Sequence, residues 1–155
     1  MRLQKATACA LYAVLELAAD PTRQASVIEI AEKYGISAHH LAKVLRDLGR
    51  AGLVDSVRGP GGGYRFAGNA KRLTLFDVIR LFEPVGPERV SGDDPELATN
   101  AGRAMRLVLD EIDEHTVATF RSITISTMLK LMARRPWLGS LGPPKPLSRA
   151  AASNR

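Results

Sequence analysis

Cysteine, aromatic side chains and long apolar runs are all scarce in this chain of 155 residues, and each scarcity removes a class of function. A single cysteine, Cys9, excludes an intramolecular disulfide framework and any four-cysteine zinc site within one chain. Aromatic residues make up only 5% of the sequence, so a large aromatic-lined cofactor cavity is not expected. No apolar run approaches the roughly 18 residues that a membrane span needs. Arg2 and Lys5 do precede an apolar stretch, but Gln4, Thr7, Glu16 and Asp20 interrupt it and no small-residue cleavage site follows. A signal peptide is therefore not expected. Length predicts one domain with at most an appendage, and ordinary proportions of hydrophobic (45%) and charged (25%) residues predict a soluble, cytoplasmic protein.

Charge is present and unevenly distributed. Of the 22 basic residues, 12 fall in residues 1–80 against 7 acids, a net of +5. Residues 81–130 hold 5 basic residues against 9 acids, and residues 131–155 hold 5 basic residues and no acid. A basic first half followed by an acidic segment suggests that the first half meets a polyanion, although a uniformly basic host proteome would leave the same imbalance.

The element pattern is mainly α. Helix formers run from Leu3 to Ala19, and Asp20-Pro21 stops them. Ser26 with Glu29 three residues on has the spacing of a capping box, and Gly35 closes the helix it opens. Ser37 opens a third helix whose buried stripe is Leu41, Val44, Leu45 and Leu48, with Gly52 beyond its end. Two short β-like runs, Leu53 to Val57 and Tyr64 to Phe66, flank Arg58-Gly59-Pro60-Gly61-Gly62-Gly63, which fits neither a helix nor a central strand. Thr74 caps a short helix, Leu75 to Phe82. Residues 83–100 read as an exposed acidic loop. A long helix over about 101–121 carries Met105, Val108, Leu109, Ile112 and Phe120 on one stripe. Such a stripe beyond a complete small domain predicts a partner chain, and these five residues are the expected dimer interface. Thr124 caps a last helix ending near Arg135, and residues 136–155 read as a disordered basic tail.

Helix, turn, helix and hairpin in that order make a winged helix-turn-helix domain, here residues 1–82, followed by the loop at 83–100, dimerisation elements at 101–135 and the tail. The physics of that domain favours double-stranded DNA, because a helix fits the major groove and its N-terminal end sits well near phosphate. Once Leu41, Val44, Leu45 and Leu48 are buried, Ser37, His39, His40, Lys43, Arg46 and Arg50 remain for the outer surface. Ser37, His39, His40 and Lys43 occupy the first two turns, where base edges are read. Arg58 at the hairpin tip is a long cation on a slender loop, suited to a narrow minor groove.

The stretch GISAHHLAKVLRDLGRAGLVDSVRGPGGGYRF resembles the Rrf-two (Rrf2) family of bacterial transcriptional regulators, the family of IscR and NsrR. The resemblance runs from Met1 to about residue 135 and is most specific at the AGLVDSVRGPGGGYR wing. HHLAKVL and FDVIRLFEPV look closest to the nitric-oxide-responsive NsrR branch. It implies a homodimeric repressor with crossed long helices on a partly palindromic operator. The roles it implies fall on Ser37, His39, His40, Lys43 and Arg58, with Gly59, Gly62 and Tyr64 shaping the wing. With Arg46, Arg50 and Arg65 these complete the candidate DNA-binding set. It also implies three cluster cysteines in the loop before the long helix and, in the NsrR branch, an aspartate on the first helix. This chain has no cysteine between Glu83 and Gly102 and has Ala8 at the aspartate position. Iron–sulfur ligation needs soft thiolates, so no standard cluster and no other cofactor is expected.

Other sensing chemistries leave thinner traces. Cys9 is a candidate redox switch, with Lys5 the one cation near it in sequence; the competing reading is an inert core thiol. A nonstandard cluster on Cys9 or a haem on His115 stays open. His39-His40 is not a metal pair, because adjacent helical residues diverge by about 100°. A winged-helix protein-interaction adaptor is the alternative function. An enzyme is not expected: there is no nucleophile–base pair, and GPGGG lies between strands, where no helix N-terminus could cradle a phosphate.

Overall fold

The computed structural model describes residues 2–87 and 95–134. Helix α1 (Lys5–Ala19) is the centre around which the other elements assemble, with Ala10, Ala13, Val14, Leu17 and Ala18 all buried. No side chain caps it locally; the Glu83 carboxylate accepts from the Gln4 backbone N–H at 3.3 Å and places an acid where the helix dipole favours one. Asp20 ends the helix and accepts from the Thr22 N–H and hydroxyl, which folds the chain back toward α2.

Helix α2 (Val27–Tyr34) starts as its sequence requires, with the Ser26 hydroxyl accepting from the Glu29 N–H. The expected reciprocal half of that capping box does not form, because the Glu29 carboxylate pairs with Arg23. Gly35 closes α2 in the left-handed region at φ 62°, and the chain turns directly into α3 (Ala38–Arg50). The four stripe residues Leu41, Val44, Leu45 and Leu48 are buried against α1, α2 and the following strand. Strand β1 (Val54–Val57) pairs antiparallel with β2 (Gly63–Phe66), Val54 opposite Phe66 and Asp55 opposite Arg65. Inward Val54 and Phe66 join the core, whereas Asp55 and Arg65 face solvent.

The wing has a third contributor that the sequence pattern does not announce. Ala25 bridges Tyr64, exchanging two backbone hydrogen bonds of 2.9 Å with it. Ser26, the cap of α2, follows immediately, so the hairpin and the helix-turn-helix are tied at one point.

Helix α4 (Leu75–Ile79) is capped by a complete Thr74–Asp77 capping box and is shorter than expected; Leu81 and Phe82 lie in the turn that follows. Residues 88–94 of the expected acidic loop are outside the described residues, and Pro95–Ala98 forms a 3₁₀ turn rather than open loop. Helix α5 (Asn100–Ser122) begins at the Thr99 cap and extends about 34 Å at 1.5 Å per residue. Helix α6 (Ile125–Ala133) returns to the core through fully buried Ile125. A short backbone bridge, Leu75 N–H to Ile123 and Ile125 N–H to Leu73, fastens the α5–α6 corner beside α4. The Arg121 guanidinium lies 4.5 Å from the centre of the Phe76 ring at the same corner. The expected tail at 136–155 lies outside the described residues.

Candidate nucleic-acid interface

Helix α3 presents one side to the core and the opposite side to solvent, because the stripe at 41, 44, 45 and 48 fixes its rotation. His39, Lys43, Arg46 and Arg50 follow one another on that outer side and are exposed. Ser37 is exposed at the start of the helix, where its hydroxyl accepts from the His40 N–H at 3.5 Å and so serves as the cap. His40 departs from the sequence expectation. It is half-buried, and its Nε2 is enclosed without a hydrogen-bond partner. A position one residue before the buried Leu41 and four before the buried Val44 lies on the shoulder of the core stripe, which places His40 inward of the exposed row His39, Lys43, Arg46 and Arg50.

The cations divide into two groups. Arg50 is paired with Asp47 on the next turn back at 3.3 Å, and Arg65 is paired across the hairpin with Asp55, also at 3.3 Å. Lys43, Arg46 and Arg58 have no acidic partner among the described residues and are exposed. Arg58 stands at the start of the turn that joins the strands, with exposed Gly59 at φ 109° beside it. Tyr64 is half-buried on β2 and is held by the Ala25 bridge.

Backbone closeness shapes this turn. A Cβ on Gly62 would meet the Val57 carbonyl oxygen at 2.4 Å, and a Cβ on Gly63 would meet the Ala25 carbonyl oxygen at 2.4 Å. Gly63 was not singled out from sequence, where it reads as one more residue of a glycine run. Its specific demand comes from Ala25, 38 residues earlier, and local pattern carries no sign of that pairing.

Glu16 is a second residue that sequence reasoning passed over. Its carboxylate accepts from the Lys33 ammonium at 2.7 Å and the Tyr34 hydroxyl at 2.8 Å, linking α1 to the last turn of α2 directly before the turn into α3. Burial alone would raise the Glu16 carboxyl, but the hydrogen bonds from Lys33 and Tyr34, with the charges of Lys33 and Arg23, hold it below the usual carboxylate range. The Tyr34 phenol is pushed well up by burial and by the neighbouring Glu16 charge, and its ring stacks on Tyr12 at 5.0 Å. The only signal in the sequence is an isolated acid on an otherwise apolar helix.

Cys9, on the core-facing side of α1, is buried at 3% exposure. Burial pushes its thiol up, only partly offset by Lys5, and the thiolate that oxidation requires is disfavoured there. Among the described residues no group of three or more His, Cys, Asp or Glu side chains is placed to hold a metal ion.

Helix α5 has no buried residue. Met105, Val108, Leu109 and Ile112 are between 48% and 61% exposed and share one stripe, with half-buried Phe120 further along it. Ile112, His115, Thr116, Thr119 and Phe120 line a shallow open groove on that side. His115 is exposed and contacts Glu111 at 3.0 Å. Leu107, also exposed, projects from the other side of the helix. No helix among the described residues is long and apolar enough to cross a membrane.

Comparison with known proteins agrees with this architecture. Residues 3–131 match the model of the Rrf2 family, described as "Iron-dependent Transcriptional regulator". The HTH-type transcriptional regulator BadM of Rhodopseudomonas palustris is 58% identical over 134 residues, covering 85% of this chain and 83% of that protein. Among solved structures, IscR of T. potens superposes with a TM-score of 0.69 at 24% identity, over 92% of this chain and 93% of that one. CymR (YrzC), the global cysteine regulator of B. subtilis, does so with a TM-score of 0.69 at 26% identity, over 84% and 97%. The first of these two shares the fold; the family match and the BadM identity go further. With a winged helix bearing free cations on α3 and the wing, a family match over residues 3–131 and 58% identity to BadM, the chain belongs to the Rrf2 family of DNA-binding transcriptional regulators.

Proposed function

We propose that this regulator is a homodimeric repressor that binds a partly palindromic operator in the cytoplasm. The observation that carries the reading is the placement of its free charge. Lys43 and Arg46 on α3 and Arg58 on the wing are exposed, lack an acidic partner among the described residues and stand on the helix and hairpin that a winged helix offers to a duplex, whereas Arg23 and Lys33 near the start and end of α2 are tied to acids. His39 and Lys43, one turn apart on the outer side of α3, are the base-reading candidates, with Ser37 at the helix start. Arg58 enters the minor groove and Arg46 lies toward the backbone, with Arg50 and Arg65 beside them paired to Asp47 and Asp55. Dimerisation through α5 is supported by an apolar stripe that the other described residues leave about half exposed. The repressor assignment rests on the resemblance of the recognition-helix and wing segments to the family, and HHLAKVL and FDVIRLFEPV support placement nearest the NsrR branch.

The donor set does not fit a standard iron–sulfur cluster. One thiol per chain, enclosed in the core, cannot replace three loop cysteines. We therefore infer a regulator that works without that cluster, in a family whose description is iron-dependent.

Selection from a pool of randomised duplexes with the purified chain tests the reading. The expected result is an enriched motif of two symmetry-related half-sites, with two chains bound per duplex by sedimentation equilibrium. A pool that enriches no motif overturns sequence-specific binding, and one chain per duplex overturns the dimer.

A further inference from the structure

Two of the acids on the winged helix sit where a polyanion-binding surface would be expected to avoid them. Asp47 lies on α3, three residues before Arg50, with its carboxylate 3.3 Å from the guanidinium; the two side chains are 49% and 74% exposed. Asp55 lies on β1 directly opposite Arg65, again at 3.3 Å, with both side chains 52% exposed. Neither pair is explained by stability. Exposed ion pairs contribute little to folding, and neither acid caps a helix or joins the core.

We propose that Asp47 and Asp55 act as internal counter-ions that determine specificity, holding Arg50 and Arg65 out of the set of cations available to phosphate. The proposal rests on the DNA-binding reading and concerns how strongly sequence can be told apart. Affinity for duplex of any sequence grows with the number of phosphates neutralised and carries no sequence information. A loosely seated, non-specific complex can slide α3 until any free cation finds a phosphate, so each additional cation strengthens it. In the seated operator complex the helix position is fixed by base contacts, and a further backbone cation adds less. Occupying two of five cations with acids therefore weakens the competitors more than the operator, which is specificity gained by penalising the wrong partner. The pairs lie on two different elements, one along a helix and one across a hairpin, and both reach the same electrostatic result.

The test compares Asp47→Asn and Asp55→Asn with the parent on the duplex recovered by selection and on a scrambled duplex of the same composition, across a salt series. Each variant is expected to bind the scrambled duplex more tightly and to lose about 3.5-fold more affinity than the parent between about 50 and 200 mM salt, the effect of one added phosphate contact. The ratio of operator to scrambled affinity is expected to fall. Scrambled-duplex affinity that is unchanged or weaker overturns the proposal, as does a rise no greater than that on the operator. Parent binding to the selected duplex, measured alongside, reports on the DNA-binding reading separately. Both acids are exposed, and unchanged unfolding midpoints for the two variants exclude a folding origin for any shift.

Discussion

Replacing Gly63 with alanine is a sharp test of how the wing is held to the reading helix. An added Cβ would stand 2.4 Å from the Ala25 carbonyl oxygen, 2.8 Å from its carbonyl carbon and 3.1 Å from the Ser26 nitrogen. All three neighbours are backbone, so no side chain can swing aside. Relief requires β2 to move away from residues 25–26, which breaks the two 2.9 Å hydrogen bonds between Ala25 and Tyr64. At about 0.5–1.5 kcal/mol each, their loss costs about 1–3 kcal/mol. For a chain of this length that lowers the melting temperature by roughly 2–4 °C per kcal/mol. The disturbance also reaches Ser26, the cap of α2, so duplex affinity should fall together with stability. Gly49→Ala is the matched control: it sits inside α3 with its nearest neighbour at 3.6 Å, and the change should be neutral or stabilising by about 0.5–1 kcal/mol. Urea unfolding of the two variants decides the matter. A Gly63→Ala midpoint equal to the parent's would refute the close approach of residue 25 to the wing.

Ile112→Asp places a charge in the middle of the α5 stripe and should give a folded monomer by sedimentation equilibrium, with duplex affinity lost alongside; a stable dimer would move the interface elsewhere. Glu16→Gln should destabilise by about 1–2 kcal/mol at neutral pH through loss of charge-assisted bonds from Lys33 and Tyr34. Because the Glu16 carboxyl is held low in the folded state, that contribution is present above the unfolded carboxylate range near about pH 4.3 and is lost as pH falls through the lower folded value. The gap between parent and variant should thus close in acid, and a gap that persisted at low pH would show that packing, not charge, is involved. Cys9 should resist alkylation in the native protein and react readily in urea; rapid native labelling would return it to the list of switches.

Local chemistry made much of this fold readable. Hydroxyls at Ser26, Ser37, Thr74 and Thr124 mark helix starts because each accepts from the N–H three residues on, and every one does so in the structure. The stripe of α3 and the inward–outward alternation of the hairpin strands follow from periods of 3.6 and 2. What stayed hidden depends on distant partners. Ala25 reaches Tyr64, Glu16 reaches Lys33 and Tyr34, and Glu83 caps α1, each across a separation that no window of periodicity spans. His40 shows the same limit within a helix. As a polar residue outside the four-residue stripe it reads as outward, whereas its rotation, next to Val44 on the shoulder of the stripe, takes it partly inside. Asp47 three residues before Arg50 was visible as spacing, but the Asp55–Arg65 pair needs the turn length before the two residues can be placed opposite one another.

Whether α3 and the wing read the duplex together is tested by Arg58→Ala, because Arg58 is exposed, unpaired among the described residues and remote from the core. Affinity of parent and variant for the selected duplex, at one fixed salt concentration, is the quantity to compare. A loss of about 1–3 kcal/mol, roughly 5- to 150-fold, is expected, with relaxed preference at the positions the wing reaches. Equal affinity and unchanged preference would contradict it.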